Sequence, residues 1–304
     1  MNSTDPRFAD FIVTPDTLGD KVPDIVIIGV PTDDGIRRNG GRPGASHAPD
    51  AIRSYLAKLT PFNHPFAERT ALDITILDVG NAHGTTLEEI HDNAEKMIGH
   101  LLGEKTIVIA LGGGHDVTYP LAKGMFSAIG NKPLSLINLD AHLDVRPKKD
   151  GKHHSGSSFR LLIEEGILEG KNFTEYGIQS FAYSKEHYDW VTNQGASVEF
   201  FDELYFDEEI ISRFSEILAS SELPYYATFD IDSIRSSDAP GCSAPSPIGF
   251  TAEQALAMSF AAGLNNSTRV FDIVEVSPGY DNDGRTCRLA ARMIANFITG
   301  YIQR

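Results

Sequence analysis

The chain has 304 residues, 41% of them hydrophobic, and a formal net charge of −16 at pH 7. That length buries a large core and suits one α/β domain spanning 1–304. The acidic balance, with no basic stripe to neutralise phosphates, argues against nucleic acid as a partner, and no window approaches the ~18 continuous apolar residues of a membrane span.

In chain order, the N-terminus Met1-Asn2-Ser3-Thr4-Asp5-Pro6 has neither a basic start nor an apolar h-region. Residues 25–28 predict the first strand, and 74–77 the next, after a loop at 59–70. Thr85-Thr86-Leu87-Glu88 reads as a capping box ahead of Ile90, Ala94, Met97, Ile98 and Leu101 at helical spacing. Strands follow at 106–111 and 134–139, a loop at 145–157 and a strand at 225–229. Thr251-Ala252-Glu253-Gln254 then opens a helix, 270–274 predicts the last strand, and a helix over 285–302 closes the chain. The strand runs are continuously apolar rather than alternating, which places them in a mostly parallel sheet covered on both faces. Periodicity alone does not separate an eight-stranded barrel from an open three-layer sheet. The only two cysteines, Cys242 and Cys287, supply no disulfide framework and fit a reducing, cytoplasmic setting. Cys242 reads as a small loop residue.

Chemistry concentrates in four segments: Gly112-Gly113-Gly114-His115-Asp116, Asp140-Ala141-His142-Leu143-Asp144, Asp230-Ile231-Asp232 and Val274-Glu275-Val276-Ser277-Pro278. Asp140, His142 and Asp144 follow a predicted strand, and a spacing of two sends all three to one side of an extended backbone. Asp230 and Asp232 repeat the arrangement. Four carboxylates do not share one small volume unless protons or a cation separate them. Four Asp and two His are too few for two independent sites, but suffice if two carboxylates bridge ions ~3.5–4 Å apart. Oxygen and imidazole ligands without thiolate favour Mn²⁺ over Zn²⁺ and leave Co²⁺, Ni²⁺ and Fe²⁺ open. Taken singly, each acid has an ordinary reading as a helix cap or a solvated strand end. The glycines before His115 read as a turn passing close to the cluster at unusual dihedrals. His153 and His154 read as members of a solvent-facing loop, and His47, His64, His83, His100 and His187 as structural or surface residues.

These segments resemble the ureohydrolase family of binuclear manganese enzymes, which includes arginase, agmatinase and formimidoylglutamase. The similarity runs from about Gly29 to the C-terminal helix. The run Asp33-Asp34-Gly35-Ile36-Arg37-Arg38-Asn39-Gly40-Gly41-Arg42-Pro43-Gly44-Ala45 is most similar to the formimidoylglutamase branch, as are Arg146 and Ser155-Gly156-Ser157-Ser158-Phe159. At the last of these stretches arginases and agmatinases carry a His-Gly pair.

The resemblance implies an α/β fold of three αβα layers with a central, mostly parallel sheet, and a site at the carboxyl ends of its strands. It implies two Mn²⁺ ions per chain, one held by His115, Asp140, Asp144 and Asp230 and the other by Asp140, His142, Asp230 and Asp232. It gives Asp144 a part in proton transfer, and Glu275 hydrogen bonds to the cationic substrate group. The implied reaction is hydrolysis of N-formimidoyl-L-glutamate to L-glutamate and formamide in histidine breakdown. An agmatinase- or guanidinobutyrase-like guanidine hydrolase is the alternative, and a non-catalytic relative a third. A permanently charged fork at Arg146 suits a carboxylate of that small-molecule substrate, with Arg37, Arg38 and Arg160 candidates for the other. Assembly into a homo-oligomer is compatible with the sequence and not specified by it.

Overall fold

The computed structural model describes residues 5–61, 68–204 and 207–304. Its strands are β1 (Ile25–Gly29), β2 (Ile76–Asn81), β3 (Ile107–Leu111), β4 (Ser135–Leu139), β5 (Phe173–Ile178), β6 (Ser197–Phe200), β7 (Tyr225–Asp230) and β8 (Thr268–Val274). They form one eight-stranded sheet in the order β2-β1-β3-β8-β7-β4-β5-β6. Every pairing is parallel.

The helices among the described residues are α1 (Pro15–Leu18), α2 (Asp34–Asn39), α3 (Ala48–Leu56), α4 (Leu87–Leu101), α5 (Thr118–Ala128), α6 (Ser158–Glu164), α7 (Lys185–Asn193), α8 (Asp207–Ala219), α9 (Ala252–Leu264) and α10 (Arg285–Tyr301). Strand side chains alternate between faces, so each apolar run feeds two cores at once. Ile25 and Ile27 join α3, α8, α9 and α10 on one face. Val26 and Ile28 join α4, α5, α6 and α7 on the other. This double burial is what continuous apolarity encodes, and it makes three layers.

Two strands have no counterpart in the sequence reading. β5 is interrupted as an apolar run by Glu175 and Gly177, and β6 is an edge strand that is nowhere fully buried. The capping box predicted for α4 does not form as such; its N-cap is Thr86, one residue later than predicted. Thr86 Oγ1 accepts from Glu89 N at 3.2 Å, and the Glu89 carboxylate returns to Thr85 N at 2.7 Å. The box predicted at Thr251 forms as read, with Gln254 N and Oε1 both engaged. Of the loop expected at 59–70, residues 62–67, including His64, lie outside the described residues. No described helix is long and apolar enough to cross a membrane.

Candidate metal centre

The four central strands, in the order β3-β8-β7-β4, carry the four segments at their carboxyl ends. Register aligns those ends: Leu139 pairs with Phe229, Phe229 with Ile273, and Ile273 with Leu111. The next residues on β4 and β7 are Asp140 and Asp230, so two carboxylates emerge side by side. Glu275 N bonds to Gly113 O at 2.8 Å, tying the end of β8 to the glycine run. Gly112, Gly113 and Gly114 are absent from the left-handed backbone region, so the unusual dihedrals expected there are not what they supply. They supply space: a Cβ on Gly113 would sit 1.8 Å from Thr32 O.

His115 Nδ1 lies 3.1 Å from Asp140 Oδ2, 3.2 Å from Asp144 Oδ2 and 3.1 Å from Asp230 Oδ2. His142 Nδ1 lies 3.4 Å from Asp140 Oδ1 and 3.2 Å from Asp232 Oδ2. The side chains therefore fall into two groups suited to a cation, His115 with Asp140, Asp144 and Asp230, and Asp140 with His142 and Asp232. Asp140 turns one oxygen to each. Asp230 stands with the first group, while its Oδ1 accepts from Asp232 N at 2.8 Å, as Asp140 Oδ1 does from His142 N.

Crowding and burial shift the protonation of these groups. Burial, followed by Asp232 and Asp140, pushes the Asp230 carboxyl well above the usual range. Burial opposes charge on His115, but the neighbouring carboxylates of Asp140, Asp144 and Asp230 override it and raise its pKa well up. His142 is raised first by Asp232. His115 Nδ1 and Asp232 Oδ1 are sealed from solvent and make no hydrogen bond of proper geometry. Buried polar atoms of that kind need an unseen partner, and a divalent cation among carboxylates and imidazoles fits.

A second set of residues fixes the His115 ring from behind. Its Nε2 lies 3.1 Å from Thr228 Oγ1, which lies 3.2 Å from Thr118 Oγ1, which donates to Asp272 Oδ2 at 2.9 Å. Asp272 also accepts from Tyr226 OH and from Phe229 N. A carboxylate accepts only, so each hydroxyl must donate towards it, and Thr228 is left to accept from His115. The proton therefore sits on Nε2, and the Nδ1 lone pair faces the cluster. Asn138 similarly donates to Asp140 Oδ2 at 3.2 Å and to Glu175 Oε2 at 2.8 Å. Burial keeps the Glu175 carboxyl well above its usual range. Lone polar residues inside otherwise apolar strands, such as Asp272 and Glu175, were the available sequence signal.

Glu275 is buried at φ 64°, and its Oε1 accepts from His115 N at 3.0 Å. Arg146 lines a pocket of about 280 Å³ together with His142, Asp144 and Phe181. Its Nη1 donates to Asn39 Oδ1 at 3.0 Å, and Asn39 Nδ2 donates to Ser155 Oγ at 3.1 Å. Asn39 thus joins three of the branch-specific stretches, a role that spacing did not reveal. Arg37, Arg38 and Arg160 do not line this pocket. Arg37 pairs with Asp33, Arg38 with Glu88, and Arg160 with Glu164 while stacking over Trp190. His153 and His154 are not the solvent-facing pair expected. His154 is buried, with Nε2 on Pro147 O and Nδ1 accepting from Gly156 N. The His153 ring packs between His91 and Tyr119. A larger hollow of about 510 Å³ beside Arg53 has that guanidinium already bound to Asp78 and Asn81, and contains none of the cluster.

The arginase family model matches residues 23–300. A formimidoylglutamase of Clostridium tetani is 33% identical over 282 residues, covering 89% of this chain and 81% of the relative. The human mitochondrial guanidino acid hydrolase is 30% identical over 277 residues, covering 89% of this chain and 76% of that one. A crystal structure of Trypanosoma cruzi formiminoglutamase with two Mn²⁺ superposes at a TM-score of 0.91, with 32% identity and 99% of both chains covered. The fold, the two ligand groups at the strand ends and a match over nearly the whole chain agree: this protein belongs to the arginase family.

Proposed function

We propose that this chain is a formimidoylglutamase, a single catalytic unit that hydrolyses N-formimidoyl-L-glutamate to L-glutamate and formamide. The observation that carries this reading is Arg146, a guanidinium in the wall of the pocket that includes His142 and Asp144, with no carboxylate within 4 Å among the described residues. A cation left unpaired beside a cluster for amidine chemistry calls for a substrate that brings its own carboxylate. Relatives described as formimidoylglutamases support the same reading.

His115, Asp140, Asp144 and Asp230 would hold one Mn²⁺, and Asp140, His142 and Asp232, with Asp230 shared, the other. Bound there, the ions supply Lewis acidity and bring the pKa of water towards neutrality. The chain's residues do the rest. Glu275 accepts hydrogen bonds from the amidinium N–H groups and orients the trigonal carbon. Asp144 takes the proton released as water adds and passes it to the departing nitrogen of glutamate, leaving formamide. Arg146 holds a carboxylate at the mouth, against the long-range repulsion expected from a chain of charge −16. Two buried, unpaired cysteines support a cytoplasmic setting, where the reaction would serve histidine breakdown.

A guanidino acid also carries a carboxylate, and the human relative favours that second reading. The two differ in product. Incubating the manganese-loaded enzyme with formimidoylglutamate, 4-guanidinobutyrate and agmatine, and measuring formamide, urea and ammonia separately, decides between them. Formamide from the first substrate is expected; urea from the second with none from the first would move the assignment.

A further inference from the structure

Among the described residues, those other than glycine at positive φ are Asn131, Asp144, Asp150, Phe181, Glu275 and Asp283. Asn and Asp tolerate this region because their short side chains bond locally. Phe181 and Glu275 have no such excuse. Glu275 is in the cluster, and Phe181, at φ 69°, lines the pocket beside His142, Asp144 and Arg146. The Phe181 side chain is fully exposed, at 105% of its reference area, so folding leaves it both strained and wetted. Its loop is held on either side. Ser180 N bonds to Asp202 Oδ2 at 2.9 Å, Ala182 N to Gln179 O at 3.2 Å, and Gln179 Nε2 to Ile248 O at 3.1 Å. Surroundings that over-determine an unfavourable conformation next to a reactive cluster mark a residue kept for what it touches.

We propose that Phe181 is a specificity-determining residue whose ring closes over the carbon chain of an acidic amino-acid substrate and screens the Arg146–carboxylate pair from water. The inference rests on the substrate class argued above. Two methylenes of a glutamyl chain lie between the amidine at the cluster and the carboxylate at the mouth, and the exposed ring at the pocket wall offers them an apolar partner. Screening also makes the ion pair less sensitive to salt.

The test is Phe181→Gly, with Phe181→Tyr as the variant that keeps the ring. Glycine relieves the positive φ, so its thermal midpoint should equal or exceed that of the wild type. KM should rise about tenfold with metal content and kcat little changed, and should climb more steeply with added NaCl than in the wild type. Phe181→Tyr should retain the wild-type KM and salt response. A Phe181→Gly enzyme with unchanged KM and salt response, or a Phe181→Tyr enzyme as impaired as Phe181→Gly, would overturn the proposal. If the wild type releases urea from a guanidino acid instead of formamide from formimidoylglutamate, the substrate reading fails. The same variants measured on that acid then decide Phe181 separately, by the same KM criterion.

Discussion

Thr228 Oγ1 stands 3.1 Å behind His115 Nε2, and through Thr118 the contact reaches the buried carboxylate of Asp272. Thr228→Val keeps shape and removes the acceptor, so the ring loses the partner that fixes its tautomer. Manganese titration should show the ion of the His115 group binding about 10–100-fold more weakly, with the other little affected. Thr228→Ser should restore it. Equal weakening of both ions in Thr228→Val would place the effect in general destabilisation instead.

Asp140 offers Oδ2 to the His115 group and Oδ1 to the His142 group. Asp140→Asn should therefore weaken both ions together, whereas His142→Asn should weaken one. Elemental analysis after gel filtration reads this directly, and activity lost to chelator should return best with Mn²⁺. One tightly held Zn²⁺ in the fully active wild type contradicts the binuclear reading.

Glu275→Gln keeps an oxygen for His115 N and removes the negative charge that faces an amidinium. Metal content should be unchanged while kcat/KM falls, the pattern of a residue that meets substrate rather than metal. Loss of manganese from this variant means Glu275 has been given the wrong task.

Arg146→Ala should raise KM for formimidoylglutamate by about 1.5–3 kcal/mol, the worth of a charged hydrogen bond, with kcat less affected. Asn39→Ala should produce a smaller rise, because Asn39 only aims the Arg146 guanidinium. Agmatine, with a cationic tail, should be a poor substrate of the wild type. Steady-state kinetics on both substrates check all three statements, and an Arg146→Ala enzyme with wild-type KM refutes the contact.

His153 gives the fold an acid-sensitive element. Burial brings its pKa down to about 3, and its Nδ1 is sealed without a partner. The free imidazole value is near 6.5, so between those pH values the unfolded chain binds the extra proton and stability falls as pH falls. The contribution is fully present above about pH 6.5 and is reduced by about 2 kcal/mol at pH 5. His153→Phe keeps the packing against Tyr119 and should flatten the decline of the thermal midpoint from pH 7 to 5. An unchanged slope would assign the acid sensitivity to other groups.

The sequence by itself determined the pieces whose physics is local. Apolar runs leading into Asp140, His142 and Asp144 and into Asp230 and Asp232 marked the ligands, but the extended spacing of two expected for them does not hold. The chain bends at residues 141–142, Asp144 sits at φ 47°, and Asp232 lies in the 3-10 turn Ile231–Ser233, so turns after the strand ends bring these side chains together. Continuous apolarity announced strands buried on both faces. Tertiary structure decided what depends on strand order and register. His115 and Thr228 are 113 residues apart, and they meet because β3, β8 and β7 lie side by side with their ends aligned. Arg146 was separated from Arg37, Arg38 and Arg160 only when each of those three found an acid nearer than the pocket. The strain at Phe181 was invisible in the chain, because nothing in its neighbours' identities demands a positive φ; the bonds that Ser180 N and Gln179 Nε2 donate to the Asp202 carboxylate and the Ile248 carbonyl, both distant in sequence, hold its loop in place.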